Sequence, residues 1–385
     1  MTGASLVRIT SPAGRAFRGV TAGVLTSLVT VMLLGAMMGG APPRPRLVPE
    51  DASGRLRRIA IHYVPSMDAQ ALPVWRQLFG VLPRDVEVAV AVERAPDFDR
   101  FVTRLHDAGI ADLERFTAVV VNRPLTTWSR DRMASLSGPS GGGVLAPPRV
   151  ATGSGPRAGD WDAPFALARD VYHARPRIAE LVFEGGDLAA SRTHVFADAN
   201  LVGRNLGRGD ATRAHLEGVL GRTFAQDIVW LGDAPGEVPE HHIMMYMVPL
   251  DDHAVLVGDV RLGQQLAPAV EADPDALLHA ARFDRAAALL AARGFAVTRI
   301  PVVVLPGAGS YVTYTNALFD RDAAGPVVYL PTYRVPALDA AAARTYEALG
   351  YRVVPIDVST IYQLNGSLGC LVNVMARDGS SGAPQ

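Results

Sequence analysis

Three short apolar runs stand close together early in the chain: RIAIHYV (58–64), VEVAVAV (86–92) and FTAVVVN (116–122). Each is rich in β-branched residues and bounded by turn residues, so each reads as a buried strand. Between them, Asp68–Leu82 and Pro96–Ala108 show the apolar spacing of amphipathic helices. The order returns near the end, as helix Ala286–Arg293 with strand FAVTRIPVVVL (295–305), then helix Ala337–Leu349 with strand YRVVPIDV (351–358). Turn glycines Gly294 and Gly350 stand 56 residues apart, each followed by an aromatic and then a strand. Such alternation restricts the chain to the α/β class, and a period of about 50 suggests stacked or radial modules.

The amino terminus is set apart from this rhythm. Gly19–Pro43 carries no charge, follows Arg8, Arg15 and Arg18, and passes through Gly39, Gly40 and Ala41. A positive start, an apolar stretch and a small-residue exit describe a secretory signal, and the length also suits an uncleaved membrane anchor. Residues 1–41 are therefore expected to export the chain, or to tether it through residues 19–41 with the domain outside. Residues 42–55 read as a Pro/Arg-rich linker, and 56–380 as one globular unit. Within that domain, Ser135–Gly159 reads as a Gly/Pro/Ser-rich surface loop or loose hairpin.

Composition removes several chemistries. A net charge of −1, from 37 basic and 38 acidic residues, offers no basic face for nucleic acid. All the basic residues are arginine, and without lysine the chain has no Schiff-base, P-loop, kinase-type or Ser-Lys chemistry. Cys370, the sole cysteine, can form neither an internal disulfide nor a multi-cysteine zinc site. No cofactor and no metal is expected.

Several motifs compete for a role. Gly138–Gly142 (GPSGG) matches G-x-S-x-G in letters, but proline and glycine surround the serine and no helix follows, as a nucleophile elbow requires. His241, His242, Asp251, Asp252 and His253 form the densest group of metal-ligand types. They read as two strands around an Asp251-Asp252 turn. His241 and His242 would then face opposite ways, leaving His253 to approach only one of them. Cys370 follows Gly366 and Gly369 and precedes an apolar run. A lone cysteine is usually a small buried hydrophobe, but nearby glycines permit a close approach by substrate. A nucleophile also needs a histidine and an orienting acid. Trp128-Ser129-Arg130-Asp131 after one strand, and Phe183-Glu184-Gly185-Gly186-Asp187 after the strand-like ELV, supply carboxylates at strand ends. Taken singly, such acids are commonly turn caps.

In order, WSRD (128–131), EGGD (184–187), HIMMYM (242–247) and NGSLGCLVN (365–373) resemble the guanidino-group-modifying superfamily. Its members include agmatine, arginine and peptidylarginine deiminases and the amidinotransferases. The resemblance implies a five-module α/β-propeller (pentein-type) built from ββαβ units around a central site. It implies Cys370 as the nucleophile on the guanidinium carbon, His242 as proton donor and later activator of water, and Glu184 as the group orienting His242. Asp131 would hold the guanidinium, with Asp187 supporting or contacting the substrate. A covalent thiouronium would be hydrolysed to a ureido product. The ligand would be a small guanidino compound or an arginine-containing peptide, since carboxylates grip the planar cation through charge-assisted hydrogen bonds.

Two positions depart from the family pattern. Deiminases typically carry H-x-D, whose aspartate is a second guanidinium clamp, and here that position is Met244. Gly369 stands before the cysteine, where agmatine and peptidylarginine deiminases tend to have histidine. Met244 leaves three readings: another acid (Glu240, Asp251 or Asp252) substitutes, the substrate carries an apolar group, or the reaction is lost. The expected activity is Cys-dependent hydrolysis of an arginine- or agmatine-like C–N bond. The alternatives are an amidinotransferase and a catalytically impaired propeller that binds a guanidinium or peptide ligand.

Overall fold

A computed structural model describes residues 43–138, 141–149, 157–307 and 310–379. The expected signal or anchor segment, 1–41, lies outside the described residues, as does Ser140 of the GPSGG motif. No helix among the described residues is long and apolar enough to cross a membrane.

Among the described residues the strands form five sheets, and one pattern recurs in all of them. An antiparallel strand pair is followed by a helical crossover to a parallel third strand. In the second sheet, Ala134–Ser137 and Gly143–Ala146 pair antiparallel, helix Ala163–Tyr172 crosses over, and Arg177–Ile178 runs parallel. The third uses Ala189–Ala190, His194–Asp198 and Asp227–Leu231, with helix Arg213–Thr223 in the crossover. The fourth uses Met247–Pro249, Ala254–Asp259 and Ala296–Val304, crossed by helix Ala276–Ala292. The fifth uses Leu318–Asp322, Gly325–Thr332 and Arg352–Asp357, crossed by Pro336–Ala348. The first sheet is assembled from both ends of the domain. Val372–Arg377 pairs antiparallel with Leu56–His62, which runs parallel to Glu87–Val92, and that in turn to Phe116–Val120.

Local chemistry accounts for these boundaries. Val88 to Val92 are all buried because the strand is covered on both faces, which is why the run is apolar without alternation. Gly109, Gly294 and Gly350 each end a helix in the left-handed region, at φ 86°, 90° and 84°. The following N–H reaches back five residues in every case: Ile110 to Leu105, Phe295 to Leu290 and Tyr351 to Tyr346, at 3.0–3.2 Å. These are glycine C-caps of the Schellman type, and the residue after each glycine is buried as the accompanying hydrophobic contact. The glycine–aromatic recurrence seen in the sequence is therefore a helix stop.

Three sequence expectations need correction. Residues 44–55 are not a linker: the compact body begins at Arg44, Arg46–Leu47 pairs with Ala134–Ser137, and Leu47, Val48, Asp51 and Ala52 are buried. The apolar residues there, masked by the Pro/Arg composition, cover a sheet edge. Of the two readings of Ser135–Gly159 the hairpin is the one seen, but its described strands are structured rather than loose, with Ser135, Ser137 and Val144 to Ala146 buried in the second sheet. The strands flanking GPSGG run antiparallel, so the strand-to-helix geometry of an elbow is absent. Finally, ELV (180–182) is not a strand, and Ile243–Met245 forms a 3₁₀ turn before the short hairpin of Met247–Pro249 and Ala254–Asp259.

Candidate active site

Among the described residues, five of the segments that cross from one sheet to the next, all but the one joining Arg46–Leu47 to Leu56–His62, carry a polar residue of one cluster. Asp131 lies between Phe116–Val120 and Ala134–Ser137, Glu184 between Arg177–Ile178 and Ala189–Ala190, and His242 between Asp227–Leu231 and Met247–Pro249. Asn316 lies between Tyr311–Thr313 and Leu318–Asp322, and Cys370 between Arg352–Asp357 and Val372–Arg377. The crossings are bonded to one another. Ser129 Oγ donates to Leu371 O at 2.7 Å, Gly185 N to Asp131 O at 3.1 Å, and Gly369 N to Asn316 O at 3.1 Å. Residues far apart in sequence are thus fixed by hydrogen bonds to backbone carbonyls rather than by side-chain packing alone.

Asp131, Glu184, His242 and Cys370 line one cavity of about 220 Å³, room for a small head group rather than for a drug-sized ligand. Asp187 does not line it: the side chain is buried behind the wall, accepting from Glu184 N at 2.7 Å and pairing with Arg204 at 2.7 Å. It holds the 3₁₀ turn Gly185–Asp187 that carries Glu184, which corrects the expectation of substrate contact. Trp128, Arg157, His241, Leu364 and Asn365 complete the lining. His241 entered the sequence reading only as a candidate metal ligand, and the other four were not singled out as site residues, although Trp128 and Asn365 stand inside the quoted motifs. Asn316 was missed as well. Its Oδ1 accepts from Cys370 N at 3.1 Å and lies 3.6 Å from Cys370 Sγ, while its Nδ2 is buried without a partner.

The electrostatics centre on His242, which is 3% exposed. Nε2 meets Glu184 Oε2 at 2.9 Å, while Nδ1 makes no hydrogen bond. Burial works against its charge, but Cys370, Glu184, Asp187 and Asp131 together hold its pKa well above the ordinary histidine value. Glu184 is held below the usual carboxylate range: burial opposes this, and His242, Arg204 and Arg132 prevail, the two arginines at 2.8 and 2.7 Å. Burial lifts Asp131 upward against the pull of His242 and Arg157. His241 goes the other way, pushed down to about 3 by burial and by the neighbouring His242 charge. The two neighbouring histidines are thus pushed in opposite directions.

Glycines make room for this arrangement. A Cβ on Gly186 would stand 2.4 Å from His242 Nδ1, and one on Gly366 would stand 2.2 Å from the Trp128 ring. Gly185 packs against Arg130 O and Met133 O, where a Cβ would meet both at 2.2 Å. The EGG and NG pairs of the motifs are steric requirements of the cavity wall.

The family model of Porphyromonas-type peptidyl-arginine deiminases matches residues 66–375. The chain belongs to this family. It is thereby a member of the guanidino-group-modifying superfamily. The mixed α/β fold is also that of C. jejuni agmatine deiminase, at a TM-score of 0.64 and 15% identity over 86% of this chain and 96% of that one. Enterococcus faecalis agmatine deiminase is similar at a TM-score of 0.63 and 15% identity, over 88% and 99% of the two chains. No curated protein sequence matches the chain significantly.

In this deiminase-family chain the H-x-D aspartate is not replaced from nearby. Met244 is 1% exposed in the apolar core and is absent from the cavity wall. Glu240 pairs with Arg282 at 2.8 Å, Asp251 caps the turn at His253 and Ala254, and Asp252 binds Thr193 N and Arg192. None of the three acids lines the cavity, which removes the first reading of Met244. The expectation that His241 and His242 lie on a strand and face opposite ways is corrected too. His241 and His242 are not on a strand, and their rings lie 4.3 Å apart on the same cavity wall, with His241 in the left-handed region at φ 72°. Among the described residues no group of three His, Cys, Asp or Glu side chains is placed to hold a metal ion.

Proposed function

We propose that this protein hydrolyses a guanidino or amidino C–N bond through a Cys370 thiouronium intermediate. The observation that carries this reading is the meeting of Cys370, His242 and Glu184 with Asp131 in one small cavity, where Glu184 bonds the His242 ring at 2.9 Å and the surrounding acids raise its pKa. In the proposed sequence the Cys370 thiolate attacks the guanidinium carbon. The His242 imidazolium gives its proton to the departing amine, which leaves as ammonia or a substituted amine. Neutral His242 then takes a proton from water as the hydroxide adds to the thiouronium carbon. Collapse releases a ureido product and restores the thiolate. Glu184, fixed by Arg132 and Arg204, keeps the imidazole ring oriented and favours its charged form. Asp131 is read as the guanidinium clamp.

The five ββαβ units are read as blades of an α/β-propeller around the cavity. The contribution of one residue from each of five sheet-to-sheet crossings supports that reading, as does the pairing of the last strand with Leu56–His62. Residues 1–41 are read as the export segment; amino-terminal sequencing of protein recovered outside the cytoplasm should begin near residue 42 if the segment is cleaved.

The test of the reaction is product analysis. Incubation with arginine, agmatine and an arginine-containing peptide should release ammonia and leave a ureido product from at least one of them. Cys370→Ser should abolish this. A ligand that binds without product, for all substrate classes, would instead favour the impaired propeller, to which the buried Met244 already points.

A further inference from the structure

We propose that Arg157 is an internal guanidinium occupying Asp131, so that an external guanidinium must displace it to bind. The inference rests on the reading of Asp131 as the clamp and adds what stands in its way. The cavity wall carries two carboxylates among the described residues. Glu184 already accepts from His242, Arg132 and Arg204. Asp131 is therefore the carboxylate left for a ligand cation, and the Arg157 side chain is ion-paired with it through Nη2. The group on the clamp is chemically the group the clamp is read to recognise.

The placement is built rather than incidental. Arg157 Nε donates to Asp160 Oδ2 at 3.0 Å, so the guanidinium bridges two acids. Asp160 is fully buried and fixed by Thr126 N at 2.8 Å and Thr126 Oγ1 at 2.6 Å. Gly159 N donates to Pro124 O at 2.8 Å, so closely packed that a Cβ would stand 2.3 Å from that oxygen. The turn bearing Arg157 is thus clamped to the segment leading into Asp131.

The same geometry makes release feasible. Only one nitrogen of Arg157 engages Asp131, whereas a free guanidinium can present two parallel N–H groups to a carboxylate. On letting go, Arg157 keeps Asp160 as a partner, and its side chain is 36% exposed, so it has somewhere to move. An internal competitor lowers apparent affinity by the fraction of molecules in which the site is free. A simple guanidinium should accordingly bind weakly, and Arg157 sets that threshold.

Binding can be read without turnover. In full-length Cys370→Ala protein, titration with methylguanidinium by calorimetry gives the reference affinity. Adding Arg157→Ala should tighten binding by about tenfold or more, and Asp131→Asn should erase the gain. Unchanged or weaker binding in the Arg157→Ala protein would overturn the inference, as would a gain that survives Asp131→Asn. Should that variant fail to fold, the Arg157 Nε–H resonance in protein with native Arg157 serves instead. It should shift as methylguanidinium saturates the site, and a resonance that stays fixed at saturation would overturn the inference. Tighter binding with no product from any substrate would refute the hydrolase reading and leave this one standing.

Discussion

Gly186→Ala is the smallest change that should disable the site. Gly186 does not adopt a positive φ, so alanine meets no backbone penalty there. Its Cβ would stand 2.4 Å from His242 Nδ1 and 2.5 Å from Cγ, where ordinary contact begins at 3.4 Å. Something must retreat by about 1 Å. The turn cannot, because Gly185 is wedged against Arg130 O and Met133 O and Asp187 holds Glu184 N at 2.7 Å. The imidazole must move, and its 2.9 Å bond to Glu184 opens beyond hydrogen-bonding range. Losing a charge-assisted hydrogen bond costs about 1.5–3 kcal/mol, and a 1 Å misplacement of a reacting group costs roughly 100-fold in rate. The His242 pKa should fall, measured by NMR titration, and reaction of Cys370 with a haloacetamidine should slow by about that factor. Gly221→Ala is the control: it lies in helix Arg213–Thr223 with nothing near its Cβ, and should gain about 0.5–1 kcal/mol. Retention of the wild-type His242 pKa and labelling rate in Gly186→Ala would refute the steric reasoning.

Other perturbations follow from the same geometry. Glu184→Gln removes a carboxylate held below its ordinary pKa of 4.5 and a partner that raises His242 above 6.5. The Glu184 contribution to stability is present above pH 4.5 and fades as pH falls toward its depressed pKa; the His242 contribution is full below pH 6.5 and fades as pH rises through its raised pKa. The stability difference between wild type and Glu184→Gln, from urea unfolding, should therefore be greatest between those values. Asn316→Ala should cost about 1 kcal/mol, because Cys370 N keeps Ser367 O as an acceptor at 3.1 Å, yet slow amidine labelling about tenfold. Met244→Asp should not restore a second clamp: it buries a carboxylate in the core, costs about 3 kcal/mol or more by thermal unfolding, and leaves methylguanidinium affinity unimproved.

Much of the fold was legible because it is written in local rules. Strand Glu87–Val92 is buried on both faces after its first residue and so reads as an unbroken apolar run, and the glycine caps mark where helices stop. Asp131, Glu184, His242 and Cys370 were readable as a set through motif order, each sitting where the chain crosses between sheets. Arg157 and Asn316 were not, because their roles exist only in three dimensions. Arg157 lies at the end of a Gly/Pro/Ser-rich stretch whose composition says nothing about Asp131, and Asn316 contacts Cys370 across 54 positions. The segment 44–55 misled for a related reason: proline and arginine dominate its letters, while Leu47, Val48 and Ala52 decide its burial. Asp187 stood in the right motif, but its burial behind the wall makes it a support of the turn.

The most direct test of the central claim is the rate at which Cys370 is alkylated by 2-chloroacetamidine relative to 2-chloroacetamide, followed by intact mass and peptide mapping. A site that binds a guanidinium-like cation beside a reactive thiolate should label Cys370 far faster with the amidine at neutral pH. That preference should collapse in Asp131→Ala and in His242→Ala. Equal rates for the cationic and neutral reagents in the native protein would contradict the account.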